Sequence, residues 1–238
     1  MRIAFFGDSL TVGLPGSSYV ALLRERFPDD TLVNLGRGND TVVSLYQRIM
    51  GLRFDEAFDL AFLWVGVNDL PAKTTRLYRA ANTLAGQRRS RDLAEFRAYY
   101  EATLDLLCST AHRVTTVSPA LRGEDLGNQS NRQLGALSNA IEDLTSQCER
   151  AEYLDLRPVF AQELATKSIS NYVPKSAIRV VLDAVTLRNP VQIDSKAAQR
   201  GLHVTLDGLH LNATGAEIVA DAFSNIIRDA ASHQSDVE

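Results

Sequence analysis

Along this 238-residue chain, short apolar runs alternate with longer segments in which apolar residues recur at helical spacing. A parallel sheet covered by helices imposes that alternation, because its strands are buried on both faces and its helices on one. Ile3 to Phe6, Thr31 to Leu35, Asp59 to Val65, Val114 to Val117 and Tyr153 to Leu156 read as strands. Between them, Tyr19, Val20, Leu23 and Phe27 share one helical face before Pro28 ends the segment. A second face carries Leu93, Phe96, Tyr100, Leu104 and Leu107, and a third carries Leu134, Leu137, Ile141, Leu144 and Cys148. A last helix holds Ile218, Val219, Ala222, Phe223, Ile226 and Ile227, with Thr214 and Glu217 spaced as a capping box. The tail after Ala231 is polar and is expected to fray.

Two stretches are longer than a crossover needs, at about 70–91 and 160–206. Both leave strand C-terminal ends, where open α/β sheets place their sites, and are read as insertions in one domain spanning 1–238. Within the second, Ile178, Val181, Leu182 and Val185 fall on one helical face.

Apolar residues make up 45% and charged residues 23%, enough for a substantial core and too apolar for a disordered chain. A net charge of -4 argues against a broad nucleic-acid footprint. Two cysteines are too few for a disulfide framework or a zinc cluster. No apolar run approaches the ~18 residues of a membrane span, and no basic region followed by a long apolar stretch opens the chain. The expectation is a cytoplasmic protein without a membrane span, unless a leader has been removed.

The first strand runs straight into Gly7-Asp8-Ser9-Leu10, which puts a serine where the chain turns at the sheet's C-terminal edge. A glycine that permits a sharp turn and a helix after the serine suit a nucleophile. The plainer reading is a polar turn that closes a strand. It is not the Gly-x-Ser-x-Gly elbow, because Thr11 stands where the second glycine would be. Of four histidines, His210 has a carboxylate three residues earlier, in Asp207-Gly208-Leu209-His210, so Asp207 can fix its tautomer while the other ring nitrogen faces a serine. His203 is the rival base. Gly66-Val67-Asn68-Asp69 follows the most apolar strand, where the Asn68 amide can donate to a developing oxyanion. A second donor can come from the loop Asn34 to Thr41, whose glycines admit a ligand to the backbone but which lacks the spacing of a P-loop or a dinucleotide fingerprint.

These four segments, in this order at successive strand ends, resemble the blocks of the SGNH or GDSL hydrolase family, and the resemblance spans nearly the whole chain. It implies a flavodoxin-like three-layer α/β sandwich: five parallel strands in the order 2-1-3-4-5 with helices on both faces. It also implies Ser9 as nucleophile, His210 as base and Asp207 as its orienter. An oxyanion hole would be formed by the Ser9 N–H, the Asn68 side chain and a backbone N–H of the second block. Counted from Asn34, the family's glycine at that block aligns with Asn39, while Gly38 comes one earlier. Asn39 is the favoured donor, with Gly38 as the alternative or as a pocket residue.

The expected reaction is hydrolysis of a small carboxylic ester or thioester through an acyl-enzyme, without a cofactor or metal. An acyltransferase using the same triad and a non-catalytic anion-binding module are the alternatives. From Leu70 to Arg91 the chain carries Lys73, Arg76, Arg79, Arg88, Arg89 and Arg91 and no acidic residue. That excess makes Arg76 and Arg79 candidates to bind an anionic part of the substrate.

Overall fold

The structure, a computed structural model, describes residues 1–70, 87–170, 172, 177–187 and 189–235. Strands β1 (Arg2–Gly7), β2 (Thr31–Gly36), β3 (Phe58–Trp64), β4 (Ala111–Val117) and β5 (Ala151–Leu154) form a parallel sheet in the order 2-1-3-4-5. Register places Gly7 opposite both Gly36 and Trp64, so β1, β2 and β3 end level. The residues that follow them, Ser9, Asn39 and Asn68 among them, therefore leave the sheet at one edge.

Helices α1 (Ser9–Val12), α2 (Tyr19–Arg26), α3 (Val42–Ile49), α4 (Leu93–Thr110), α5 (Gln129–Thr145), α6 (Arg157–Leu164), α7 (Ala177–Thr186), α8 (Pro190–Gln199) and α9 (Ala213–Ser235) surround the sheet. α2 packs on α9 over one face, while α3, α4 and α5 pack in series over the other. Because successive strand residues point to opposite faces, Phe5 and Phe6 serve different layers. Phe5 stacks on Phe62, which stacks on Phe223 of α9 with centroids 4.2 Å apart, and Tyr19 of α2 meets Phe223 edge-on. Phe6 turns to Phe54 and Phe58. Such aromatic pairs contribute about 0.5–1.5 kcal/mol each beyond their buried area.

Several boundaries differ from the pattern. β5 starts two residues before Tyr153 and stops at Leu154, because the Leu156 N–H leaves the ladder to donate to Ser118 Oγ. The Thr214–Glu217 capping box is not formed. Asn212 caps α9 by accepting from Gly215 N–H at 3.0 Å, and Glu217 pairs with Arg26 of α2. Beyond the end of α6, the second long stretch holds two helices, α7 and α8, rather than one. α8 buries only Ile193 and Ala197, too short a stripe to show as periodicity, but Asn189 caps it and Pro190 occupies its first turn. Cys108, near the end of α4, and Cys148, ahead of β5, are free thiols with sulfurs 2.9 Å apart. No helix among the described residues is long and apolar enough to cross a membrane.

Candidate active site

The turn after β1 is shaped by what Gly7 lacks. A Cβ there would lie 2.2 Å from Thr11 Oγ1 and 2.6 Å from the Trp64 carbonyl, so only glycine lets the strand end against β3. Asp8 accepts from Leu10 N–H at 3.0 Å and opens α1, a single turn closed by Gly13 at φ 78°. The helix expected behind the serine is thus one turn long, and the Leu10 amide is already taken.

Ser9, 7% exposed, meets His210 across 201 residues of chain, Oγ to Nε2 at 3.0 Å. His210 Nδ1 donates to Asp207 Oδ2 at 2.9 Å, the tautomer that leaves Nε2 to accept from the serine hydroxyl. The other Asp207 oxygen accepts from Leu209 N–H at 3.1 Å and His210 N–H at 2.9 Å, which locks acid and base into one turn. Gly208, between them, has φ 85°. This loop hangs on Glu124, a fully buried carboxylate after β4. It accepts from the N–H groups of His203, Val204 and Thr205 and from Thr205 Oγ1 at 2.7–3.1 Å.

Asn68 stands beside the serine's neighbour. Its side-chain amide donates to Asp8 Oδ2 at 3.1 Å and to the Asp40 carbonyl at 3.0 Å. Asp40 is itself buried and held by Ser44 and Arg48. Asp69 accepts from Val42 N–H at 3.0 Å and from Ser90 Oγ at 3.3 Å, tying the third block to α3 and to the end of the long loop. In the second block the left-handed residue is Asn39, at φ 64°, a conformation that asparagine tolerates better than most. No described residue accepts from its N–H. Gly38 has a negative φ and open space where a Cβ would be, so neither backbone nor packing requires glycine there.

Burial sets the electrostatics. It pushes Asp8 up to about 7 against the opposing Leu10 amide and His210 charge, and pushes Asp69 up to about 7 against its own hydrogen bonds. Burial also acts to lower His210, but the Asp207 charge and hydrogen bond, aided by Asp8 and Asp183, prevail and hold it above its ordinary 6.5. Asp207 has the mirror balance: burial raises it, while the His210 charge and the three hydrogen bonds prevail and keep it below the usual carboxylate range. An imidazole kept basic beside an aspartate kept ionised can take a proton from a serine.

The structure thus joins Ser9, Asp207, His210 and Asn68. It sets His203 aside as the base: its backbone is bound by Glu124 and its Nε2 meets the Ser168 carbonyl at 3.0 Å. Arg76 and Arg79 lie outside the described residues. Arg88 and Arg91 both pair with Glu95, at 2.9 and 3.1 Å. The described end of the long loop docks on the second block, with Gln87 donating to the Gly38 carbonyl and Thr41 to the Arg88 carbonyl. Glu124 was not legible in the sequence, since it holds backbone groups about 80 residues away through a loop with no periodicity.

The sheet order and the buried Ser-His-Asp series define a class, the α/β proteins with a serine hydrolase's constellation at the sheet's C-terminal edge. The chain belongs to the GDSL-like lipase/acylhydrolase family, whose model matches residues 5–218. Among solved structures it is similar to the acetyl xylan esterase AlAXEase, with 22% identity, TM-score 0.65, and 95% of this chain and 100% of that one covered. It is also similar to LAE5, an alpha/beta hydrolase enzyme from the metagenome of Lake Arreo, with 18% identity, TM-score 0.62 and 93% and 92% covered. A third is Axe2, an acetylxylan esterase from Geobacillus stearothermophilus, with 16% identity, TM-score 0.61 and 93% and 91% covered. At these identities the likeness carries the fold alone. No curated protein matches the sequence significantly.

Proposed function

We propose that this chain is a serine esterase that cleaves a carboxylic ester or thioester through a Ser9 acyl-enzyme. The observation that carries this reading is the continuous buried series from Ser9 Oγ through His210 to Asp207, at 3.0 and 2.9 Å. As Ser9 Oγ bonds to the acyl carbon, its proton passes to His210 Nε2, and Asp207 balances the imidazolium. The tetrahedral oxyanion is met by Ser9 N–H, Asn39 N–H and the Asn68 amide, which releases one of its two resting bonds to do so. Collapse expels the alkoxide or thiolate, which takes the proton from His210. Water, deprotonated by the same nitrogen, then attacks the acyl carbon and frees the acid and Ser9.

A short acyl group is the favoured substrate, supported by the likeness to two acetylxylan esterases. Alanine variants of a serine, an aspartate and a histidine in Axe2 are described as catalytic mutants, with aspartate and histidine three positions apart, as here. The test is a chain-length panel of p-nitrophenyl esters on purified protein, with product analysis in the presence of an acceptor alcohol. Cleavage that peaks at acetate or butyrate and yields free acid supports the reading. Acyl transfer to the alcohol in preference to water would make the chain an acyltransferase, and no turnover of any ester would contradict both.

A further inference from the structure

Arg122 is an arginine that the reaction above does not use. It lies in the turn after β4 with its backbone held on both sides: its N–H donates to Asn131 Oδ1 at 2.8 Å and its carbonyl accepts from Asn128 Nδ2 at 2.9 Å. Its side chain is half-buried, and the acceptor it meets among the described residues is the Leu70 carbonyl, at a long 3.3 Å. Arg26, Arg48, Arg88, Arg91, Arg97, Arg113, Arg157 and Arg200 each pair with a carboxylate. No ion pair among the described residues includes Arg122. The undescribed segments ahead of the last three residues hold no Asp or Glu to supply one.

The surroundings add positive charge rather than cancel it. Burial lowers the Arg122 pKa and the nearby Arg89 lowers it further. A guanidinium withdrawn from water without an anion is a cost to the fold, and it is offset when a bound ligand brings the anion. Location supplies the functional link. Leu70 lies two residues beyond Asn68. On the other side, Gly123, next to Arg122, donates to the Gly208 carbonyl at 2.5 Å, inside the turn that carries Asp207 and His210. Arg122 is therefore bracketed by the two loops that place the oxyanion donor and the base.

We propose that Arg122 forms an anion subsite of this active site, so that the ester taken here carries a carboxylate or phosphate group in addition to the bond that is cleaved. A planar guanidinium offers such a group two parallel N–H donors. The reaction rests on the Ser9 reading; the binding does not.

The test compares the wild type with Arg122→Gln and Arg122→Lys on two matched pairs of esters. Mono(p-nitrophenyl) succinate against its methyl diester places the charge on the acyl side, and p-acetoxybenzoate against its methyl ester places it on the leaving side. The expected result is that, on one pair, the charged-to-neutral ratio of kcat/KM falls about tenfold or more in Arg122→Gln, the scale of one charged contact. Lysine should restore part of that loss. A purely structural role would lower both members of a pair together, and an unchanged ratio on both pairs overturns the proposal. Binding is read separately, without turnover, as the rise in melting temperature of the wild type with succinate or inorganic phosphate. That rise should be lost in Arg122→Gln and retained in part in Arg122→Lys. No rise in the wild type, or an equal rise in the glutamine variant, overturns the subsite whatever becomes of Ser9. Loss of ester turnover with the succinate or phosphate shift intact and dependent on Arg122 would instead leave the subsite standing and remove the esterase reading.

Discussion

Asn68 holds both hydrogens of its amide on fixed acceptors, Asp8 Oδ2 and the Asp40 carbonyl, before any substrate arrives. In the proposed reaction one of those bonds is released to the oxyanion while the other keeps the side chain aimed. Asn68→Ala should lower kcat by ~10² to 10³, about 2.7–4 kcal/mol, with little change in KM, as measured by steady-state kinetics on an acetyl ester. A loss confined to KM would make Asn68 a substrate-binding residue, and loss of the folded circular dichroism spectrum would make it structural. The same residue marks how far sequence alone reaches. Asn68 stands out because it follows the most apolar strand, whereas the residues that hold it, Asp8 and Asp40, act through burial, which a sequence does not display.

The element that decides the geometry is the loop from His203 to His210. Asp207 and His210 were legible because their contact is local, three residues apart in one turn. The anchor of that turn was not. Glu124 reaches it from the segment after β4, and its carboxylate takes three backbone N–H groups and one hydroxyl, of which those of Val204 and Thr205 are buried from water. Leaving such donors unmet costs about 1–3 kcal/mol each. Glu124→Ala should therefore lower the melting temperature. Glu124→Gln, which keeps one acceptor oxygen, should fold with faster hydrogen exchange at Val204 and Thr205 and a reduced kcat. Unchanged exchange at those two amides in the glutamine variant would show that the loop holds itself. The strands were readable for the opposite reason: burial on both faces writes continuous apolar runs, and in β1 and β3 those runs end where the chemistry begins.

For the molecule as a whole, the buried acids and the active histidine pull stability and activity in opposite directions with pH. Asp8 and Asp69, raised to about 7, bind protons in the folded state that the unfolded chain has already released above its ordinary carboxylate range. His210, raised above 6.5, likewise favours the folded state when protonated. All three make the unfolded state the weaker proton binder, so the contribution of Asp8 and Asp69 to stability falls as pH rises from about 4 to 7, and that of His210 falls as pH rises above 6.5. Catalysis needs His210 neutral, so kcat/KM should rise through that same upper range, with an acid limb above 6.5. Melting temperature and initial rate, each measured from pH 5 to 8.5, should run against one another, and Asp69→Asn should flatten the first curve alone. Parallel curves would contradict the assignment. The central claim is that one serine, Ser9, carries the acyl group. Intact-mass spectrometry after treatment with a fluorophosphonate, followed by peptide mapping, tests it most directly. One adduct on the peptide that contains Ser9, absent from a folded Ser9→Ala variant whose turnover has dropped by several orders of magnitude, is the result expected of a triad that acts as a unit. An adduct on another serine, or none on a protein that cleaves esters, would contradict it.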